Sequence, residues 1–265
     1  MYSSHHHKHH ARRLLCLTAL ACFVAGGTAY ACTRKAAVPQ LPELPAESLA
    51  LPAENGAQQS PLTAAQAQAL LDDPRMILVN RANPITEDYP VETRECGSAT
   101  AINKTLQTEA AEAFLSMQAA AAKDGVDVRM QSGYRSVSYQ TKLYERKTQY
   151  YRDQGFDEAT AKEKAAAIVN PPGYSEHNCG LAADLNSPEH TGLDEGFENT
   201  TAFRWLCEHA ADYGFILRYP KGAEAQTEIT YEPWHWRYVG VENACTIRES
   251  GLALEEFLAL ERAKS

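Results

Sequence analysis

Three short polar stretches, far apart along the chain, limit what it can fold into more than any other feature. They are Ser132-Gly133-Tyr134-Arg135-Ser136, Ser175-Glu176-His177-Asn178-Cys179-Gly180-Leu181-Ala182-Ala183-Asp184 and Glu232-Pro233-Trp234-His235. Beyond the first ten residues only His177, His190, His209 and His235 remain of the nine histidines, and two of these four fall inside the stretches. If the stretches serve one purpose, the fold must bring residues 132–136, 175–184 and 232–235 to a single place.

The residue types say what that place could do. A catalytic zinc takes three protein ligands and keeps one position open for water. His177, Asp184 and His235 meet that need, and nitrogen with oxygen donors suits Zn²⁺. His177 and Asp184 lie seven apart with Gly180 between them, a spacing that fits a loop turning into a strand. Glu232 stands three residues before His235, an odd offset that a regular strand would send to the opposite face. Pro233 cannot continue a central ladder, so a bend there can return Glu232 to the metal side. It could then take a proton from a metal-activated water and pass it to a leaving amine. The bland alternative is a solvated or helix-capping glutamate. Arg135 follows Gly133 at an expected strand end, where a guanidinium can grip a carboxylate or a developing oxyanion; otherwise it is an ordinary structural arginine. Ser175 either hydrogen-bonds substrate or only shapes the loop. Cys179, two residues from His177, invites a Cys–His nucleophile, but that reading leaves Asp184, Glu232 and His235 without roles. As a fourth metal ligand it would close the site. No HExxH string occurs, so a helical zincin is excluded.

Composition narrows the partners. The chain has 265 residues and a formal net charge of −9, and its first 31 residues hold Lys8, Arg12 and Arg13 but no acid, so removing them takes −9 to −12. Such a field is poorly suited to nucleic acid or anionic lipid. Residues 1–31 read as a signal peptide or signal anchor: Arg12-Arg13, then the apolar run Leu14 to Val24, then Ala29-Tyr30-Ala31 before Cys32. Lipidation at Cys32, plain secretion, or retention as an uncleaved anchor are all open, so membrane contact is expected through the N-terminus alone. The His-rich start belongs to this leader. Residues 32–61, rich in Pro, Ala, Glu and Gln, read as a disordered linker. The folded domain is expected over 62–265. There, Cys96, Cys179, Cys207 and Cys245 could form two disulfides outside the cytoplasm or stay buried thiols.

Apolar spacing predicts helices over Lys104–Lys123, Ser138–Tyr151, Asp157–Val169, Thr200–Tyr213 and Leu252–Arg262. Alternation predicts strands from Val126 to Met130, Phe215 to Tyr219 and His235 to Val239. Helices come first and short strands gather around the polar stretches, which argues for an α+β fold with helices packed on a small antiparallel sheet.

At this point the stretches resemble a known family. The Ser-x-His-x-x-Gly-x-Ala-x-Asp string from Ser175 to Asp184, Ser132 to Ser136 and Glu232-Pro233-Trp234-His235 are similar to the zinc D-alanyl-D-alanine carboxypeptidases of the vancomycin-resistance type, LAS metallopeptidases with a hedgehog-like fold. The likeness runs from Leu78-Val79-Asn80 through Tyr213 to Pro220 and on to Leu254-Glu255-Glu256-Phe257. It implies one zinc held by His177, Asp184 and His235, Glu232 as catalytic base, and Arg135 on substrate or transition state, with Ser175 a candidate substrate contact. The implied reaction removes the C-terminal D-alanine from a peptidoglycan stem peptide. Rival expectations are an L,D-carboxypeptidase acting on tetrapeptide stems, a cross-link endopeptidase, and a silent wall-binding module. The enzyme is expected at the cell envelope, acting as a monomer.

Overall fold

The computed structural model describes residues 62–265. The leader, the linker and Cys32 lie outside them. In chain order the elements are α1 (Ala64–Leu71), β1 (Thr93–Glu95), β2 (Thr105–Gln107), α2 (Thr108–Lys123), β3 (Arg129–Ser132), α3 (Val137–Asp153), α4 (Glu158–Ala166), β4 (Ala182–Asn186), α5 (Thr201–His209), β5 (Phe215–Leu217), α6 (Glu224–Thr227), β6 (His235–Tyr238), α7 (Val241–Ser250) and α8 (Leu254–Arg262). Four strands form one antiparallel sheet in the order β3-β4-β6-β5, and β1 pairs with β2 in a separate ribbon. This is the α+β class expected, helices around small antiparallel sheets. Among the described residues no helix is long and apolar enough to cross a membrane.

Strand alternation sorts the sheet into two faces. Ala183 and Leu185 of β4, with Trp236 and Tyr238 of β6, join Phe114 and Met117 of α2 and Leu206 of α5 in the larger apolar core. Asp184, His235 and Arg237 point the other way, because neighbouring strand residues face opposite sides. A second cluster, with Ile216, Ile247, Leu254 and Phe257, packs α7 and α8 against the far edge. Both central strands are buried along their whole length, so polar groups on the inner face must find partners within the protein.

Some boundaries differ from the sequence pattern for visible reasons. Residues 105–107 do not begin α2; they pair with β1, and the Gln107 side chain accepts from the amides of Glu109 and Ala110, capping the helix. The stretch Thr200–Tyr213 breaks at His209 into α5 and a 3₁₀ turn that ends at Gly214, φ 85°. The C-terminal helix is preceded by α7, which stops at Gly251 with φ 66°. Neither α1 nor α7 carries a strong apolar stripe, and tertiary packing rather than periodicity holds them. Among the described residues Cys96, Cys179, Cys207 and Cys245 form no disulfide.

Candidate active site

Two glycines bring the first and second stretches to the sheet. At Gly133 a Cβ would run into the Thr105 carbonyl oxygen, so only glycine lets β3 pass this close to β2. The neighbouring Tyr134 amide donates to that same carbonyl at 2.7 Å. Gly180 has φ 77° and ends a 3₁₀ turn over Glu176–Cys179, directing the chain into β4. Its carbonyl accepts from the Gln107 amide at 2.8 Å. The Arg135 amide donates to the His177 carbonyl at 3.0 Å, and the Asn178 side chain donates to the Arg135 carbonyl at 2.7 Å. These bonds fasten the first stretch to the second.

The sheet register then does the rest. Asp184 pairs directly with His235 on β6 and with Ser132 on β3, so one row across the sheet holds a residue from each stretch. Directly opposed antiparallel residues have Cβ atoms about 4.5–5.5 Å apart, close enough to share an ion. A register irregularity between Met130 and Ser132 lets Met130 stay in the core while Ser132 reaches the Asp184 row. His235 donates its amide to the Glu232 carbonyl across a turn at Pro233-Trp234. That turn folds Glu232 back, and its Oε2 lies 3.6 Å from His235 Nδ1.

His177, Asp184 and His235 are all buried, and one donor atom from each falls within 4.8 Å of the others. His177 Nδ1 lies 2.8 Å from the Gly133 carbonyl oxygen. A carbonyl can only accept, so this nitrogen carries the proton and Nε2 presents a lone pair. That Nε2 is 3.2 Å from Asp184 Oδ2, and His235 Nδ1 is 3.2 Å from Asp184 Oδ1. Asp184 Oδ1 is buried without a hydrogen bond among the described residues. Two imidazole nitrogens facing an incompletely satisfied carboxylate fit a divalent cation, and the donor set is that of zinc.

The electrostatics agree. Burial, helped by the Arg135 guanidinium, pushes His177 down to about 4, so it is neutral at pH 7 as a ligand must be. Burial alone would raise Asp184, yet His177 and His235 hold it well below the carboxylate range. Burial would also lower His235, but the Asp184 and Glu176 carboxylates push it up to about 9; in the metal-free protein a proton sits where a cation would go. Glu232 rises to about 7, chiefly through burial, with Asp184 adding to the rise and His235 and Arg135 opposing it. A carboxyl near neutral pH is suited to exchanging protons. Burial lowers Arg135, the Asp184 and Glu232 carboxylates counter it, and its NH2 nitrogen stands 3.9 Å from Asp184 Oδ2. Its Nε is buried without a partner among the described residues. Ser175, 3% exposed, opens the 3₁₀ turn but does not cap it with its hydroxyl.

Cys179 is the stretch residue that stays out. Its thiol donates to the Glu176 carbonyl at 3.0 Å, it packs in the apolar core, and burial raises its pKa. A thiol held protonated in this way is no nucleophile. Four residues given no role from the sequence, one of them inside the second stretch, complete the surroundings. The Tyr219 ring lies 4.8 Å from the His235 ring. Glu176 accepts from Arg218 Nε at 2.8 Å and Arg237 NH1 at 2.7 Å, all three fully buried at the side chain. Arg237 could have been found two residues after His235, on the same strand face. Arg218 and Tyr219 lie in the Tyr213–Pro220 string that carries the family likeness, but their types alone assign them no role.

Comparison with known proteins places the chain. Residues 103–241, just over half of the chain, match the family described as VanY D-alanyl-D-alanine carboxypeptidase. A D-alanyl-D-alanine carboxypeptidase of Enterococcus faecalis (strain ATCC 700802 / V583) is 36% identical over 228 residues, covering 84% of this chain and 81% of that protein. A solved mutant of the vancomycin-resistance D,D-pentapeptidase VanY from a VanB-type cassette, in complex with Zn(II), is 37% identical with a TM-score of 0.59, covering 69% of this chain and 98% of its own. The LdcB LD-carboxypeptidase is 33% identical with a TM-score of 0.62, covering 71% and 86%. On sequence and fold, this chain belongs to the VanY D-alanyl-D-alanine carboxypeptidase family.

Proposed function

We propose that this protein is a zinc D,D-carboxypeptidase that removes the terminal D-alanine from peptidoglycan stem peptides, with His177, Asp184 and His235 holding the ion. The observation that carries the reading is the convergence of these three buried donors within 4.8 Å, with Glu232 beside them. Bound there, zinc supplies Lewis acidity, polarising the scissile carbonyl and making water a better nucleophile. Glu232, whose side chain is 22% exposed, reaches both solvent and the donor cluster. It takes the proton of the attacking water and returns it to the departing amine. Arg135, whose buried Nε has no partner among the described residues, binds the substrate's free carboxylate or the oxyanion as it forms. Ser175, buried and with its hydroxyl not used to cap the turn, is the candidate for a further substrate hydrogen bond. With both ligand imidazoles, the ligand carboxylate, the base and the cation in place, a silent binding module has no support.

The likeness to an LD-carboxypeptidase favours one second reading, cleavage of a tetrapeptide stem between its diamino acid and D-alanine. Incubating purified protein with pentapeptide and tetrapeptide stems, then weighing the products, separates the two. Loss of one alanine from the pentapeptide alone supports the D,D assignment; loss from the tetrapeptide alone overturns it. The apolar leader and the linker over residues 1–61 support an exported enzyme tethered at the membrane through Cys32 or a retained anchor.

A further inference from the structure

The carboxylate of Glu176 has two oxygens in different situations. Oε1 accepts from Arg218 Nε at 2.8 Å and from Arg237 NH1 at 2.7 Å. Oε2 is buried and has no hydrogen bond among the described residues. The polar atom facing it is His235 Nε2, 3.5 Å away, which is likewise buried and without a hydrogen bond. Two orphaned buried atoms, one an acceptor and the other able to donate, thus face each other at slightly more than bonding distance. Leaving either alone costs about 1–3 kcal/mol, so pairing is the way both are satisfied.

The setting keeps Glu176 an acceptor. Arg218 also grips Glu255 of α8 through two bonds of 2.9 and 2.5 Å. The remaining donors of Arg237 go to the carbonyls of Arg75, Ile77 and Tyr238. Two guanidinium groups thus balance two carboxylates, and Glu176 can stay ionised inside the protein. His235 turns its other nitrogen, Nδ1, toward Asp184.

We propose that Glu176 is a positioning residue for the metal site: it accepts the proton of His235 Nε2, fixing the tautomer and ring angle that leave Nδ1 free as a ligand. This rests on the zinc reading above. Hydrogen-bonded partners of ligand histidines typically contribute 10- to 100-fold in metal affinity. The arrangement is matched on the other ligand, where the Gly133 carbonyl holds His177 Nδ1. Through Arg218 and Glu255 the same carboxylate ties α8 to the catalytic row.

The test compares Glu176→Gln with Glu255→Gln by chelator competition for zinc, alongside thermal melts of the metal-free proteins. Glu255→Gln weakens the same charge cluster without touching His235. The expected result is zinc binding weakened about 10- to 100-fold in Glu176→Gln and kept near the wild-type value in Glu255→Gln, although both melt earlier. Equal losses in the two variants, or none in Glu176→Gln, overturn the proposal. A measurement on the zinc-loaded wild type needs no variant to fold: long-range proton–nitrogen NMR should place the exchangeable proton of His235 on Nε2. A proton on Nδ1 overturns the proposal while leaving the zinc enzyme intact. Wild-type protein that binds no zinc overturns the metal reading itself, and this one with it.

Discussion

The division of labour between Glu232 and the three donors makes a sharp forecast about single side chains. Glu232 sits beside the donor cluster but supplies none of the three donor atoms that converge most closely. Glu232→Gln should therefore keep one zinc per chain while hydrolysis of the pentapeptide falls by about 10²- to 10⁴-fold, the usual worth of a general base. Metal analysis and product mass on the same sample check both halves, and retained activity removes the role. The five residues that the structure gathers, His177, Asp184, His235, Glu232 and Arg135, could be picked out in the sequence because each is tied to chemistry by its type and by its neighbours in a short string. Glu176 could not, although it lies between Ser175 and His177. Its role depends on Arg218 and Arg237, 42 and 61 residues away, and no local pattern encodes that meeting.

Elements transmit the constraint through their ends. Gly180 turns the 3₁₀ segment into β4 with φ 77°, and a Cβ there would lie 2.8 Å from Val91 Cγ1 and 3.1 Å from the Gln107 amide. Gly180→Ala should cost about 1–3 kcal/mol, the range for a strained backbone position, read from urea melts of metal-free protein. Asp73 does similar work at another junction. It accepts from the Arg75 amide and guanidinium before the turn at Pro74–Met76, and from the Asn243 side chain in α7. Burial would raise it, but the Arg75 hydrogen bonds hold its pKa below the ordinary value. A lowered folded pKa stabilises above the unfolded value of about 3.9 and is lost as pH falls through the folded one. Asp73→Asn should thus lower stability by about 1–2 kcal/mol at pH 7, and the gap from wild type should narrow below about pH 4. A gap that stays constant across that window removes Asp73 ionisation as its source. Long helices such as α3 were visible from spacing. The ribbon β1–β2 was not, because strands of three residues carry too few positions to show a period.

At the level of the whole molecule, the ion and the fold depend on each other. Two imidazoles, one of them from a separate strand, crowd against the Asp184 carboxylate, whose Oδ1 has no hydrogen bond among the described residues, so zinc should bind the folded chain far better than the unfolded one. Chelation should abolish hydrolysis and lower the Tm, and added zinc should restore both. Free zinc at 100 times its Kd adds about 2.7 kcal/mol to stability. A Tm indifferent to zinc would mean the donors hold no ion. By itself the sequence determined the donor types, the glycines that allow close passage, the alternation that separates a polar strand face from an apolar one, and hence the α+β class. These are properties of single residues and of short periods. Tertiary structure alone decided that Ser132, Asp184 and His235 share one row, that a register irregularity after Met130 makes this possible, and that Glu176 stands behind His235. Register and the pairing of buried charges are set by packing between segments that the chain keeps far apart, and no local spacing records them.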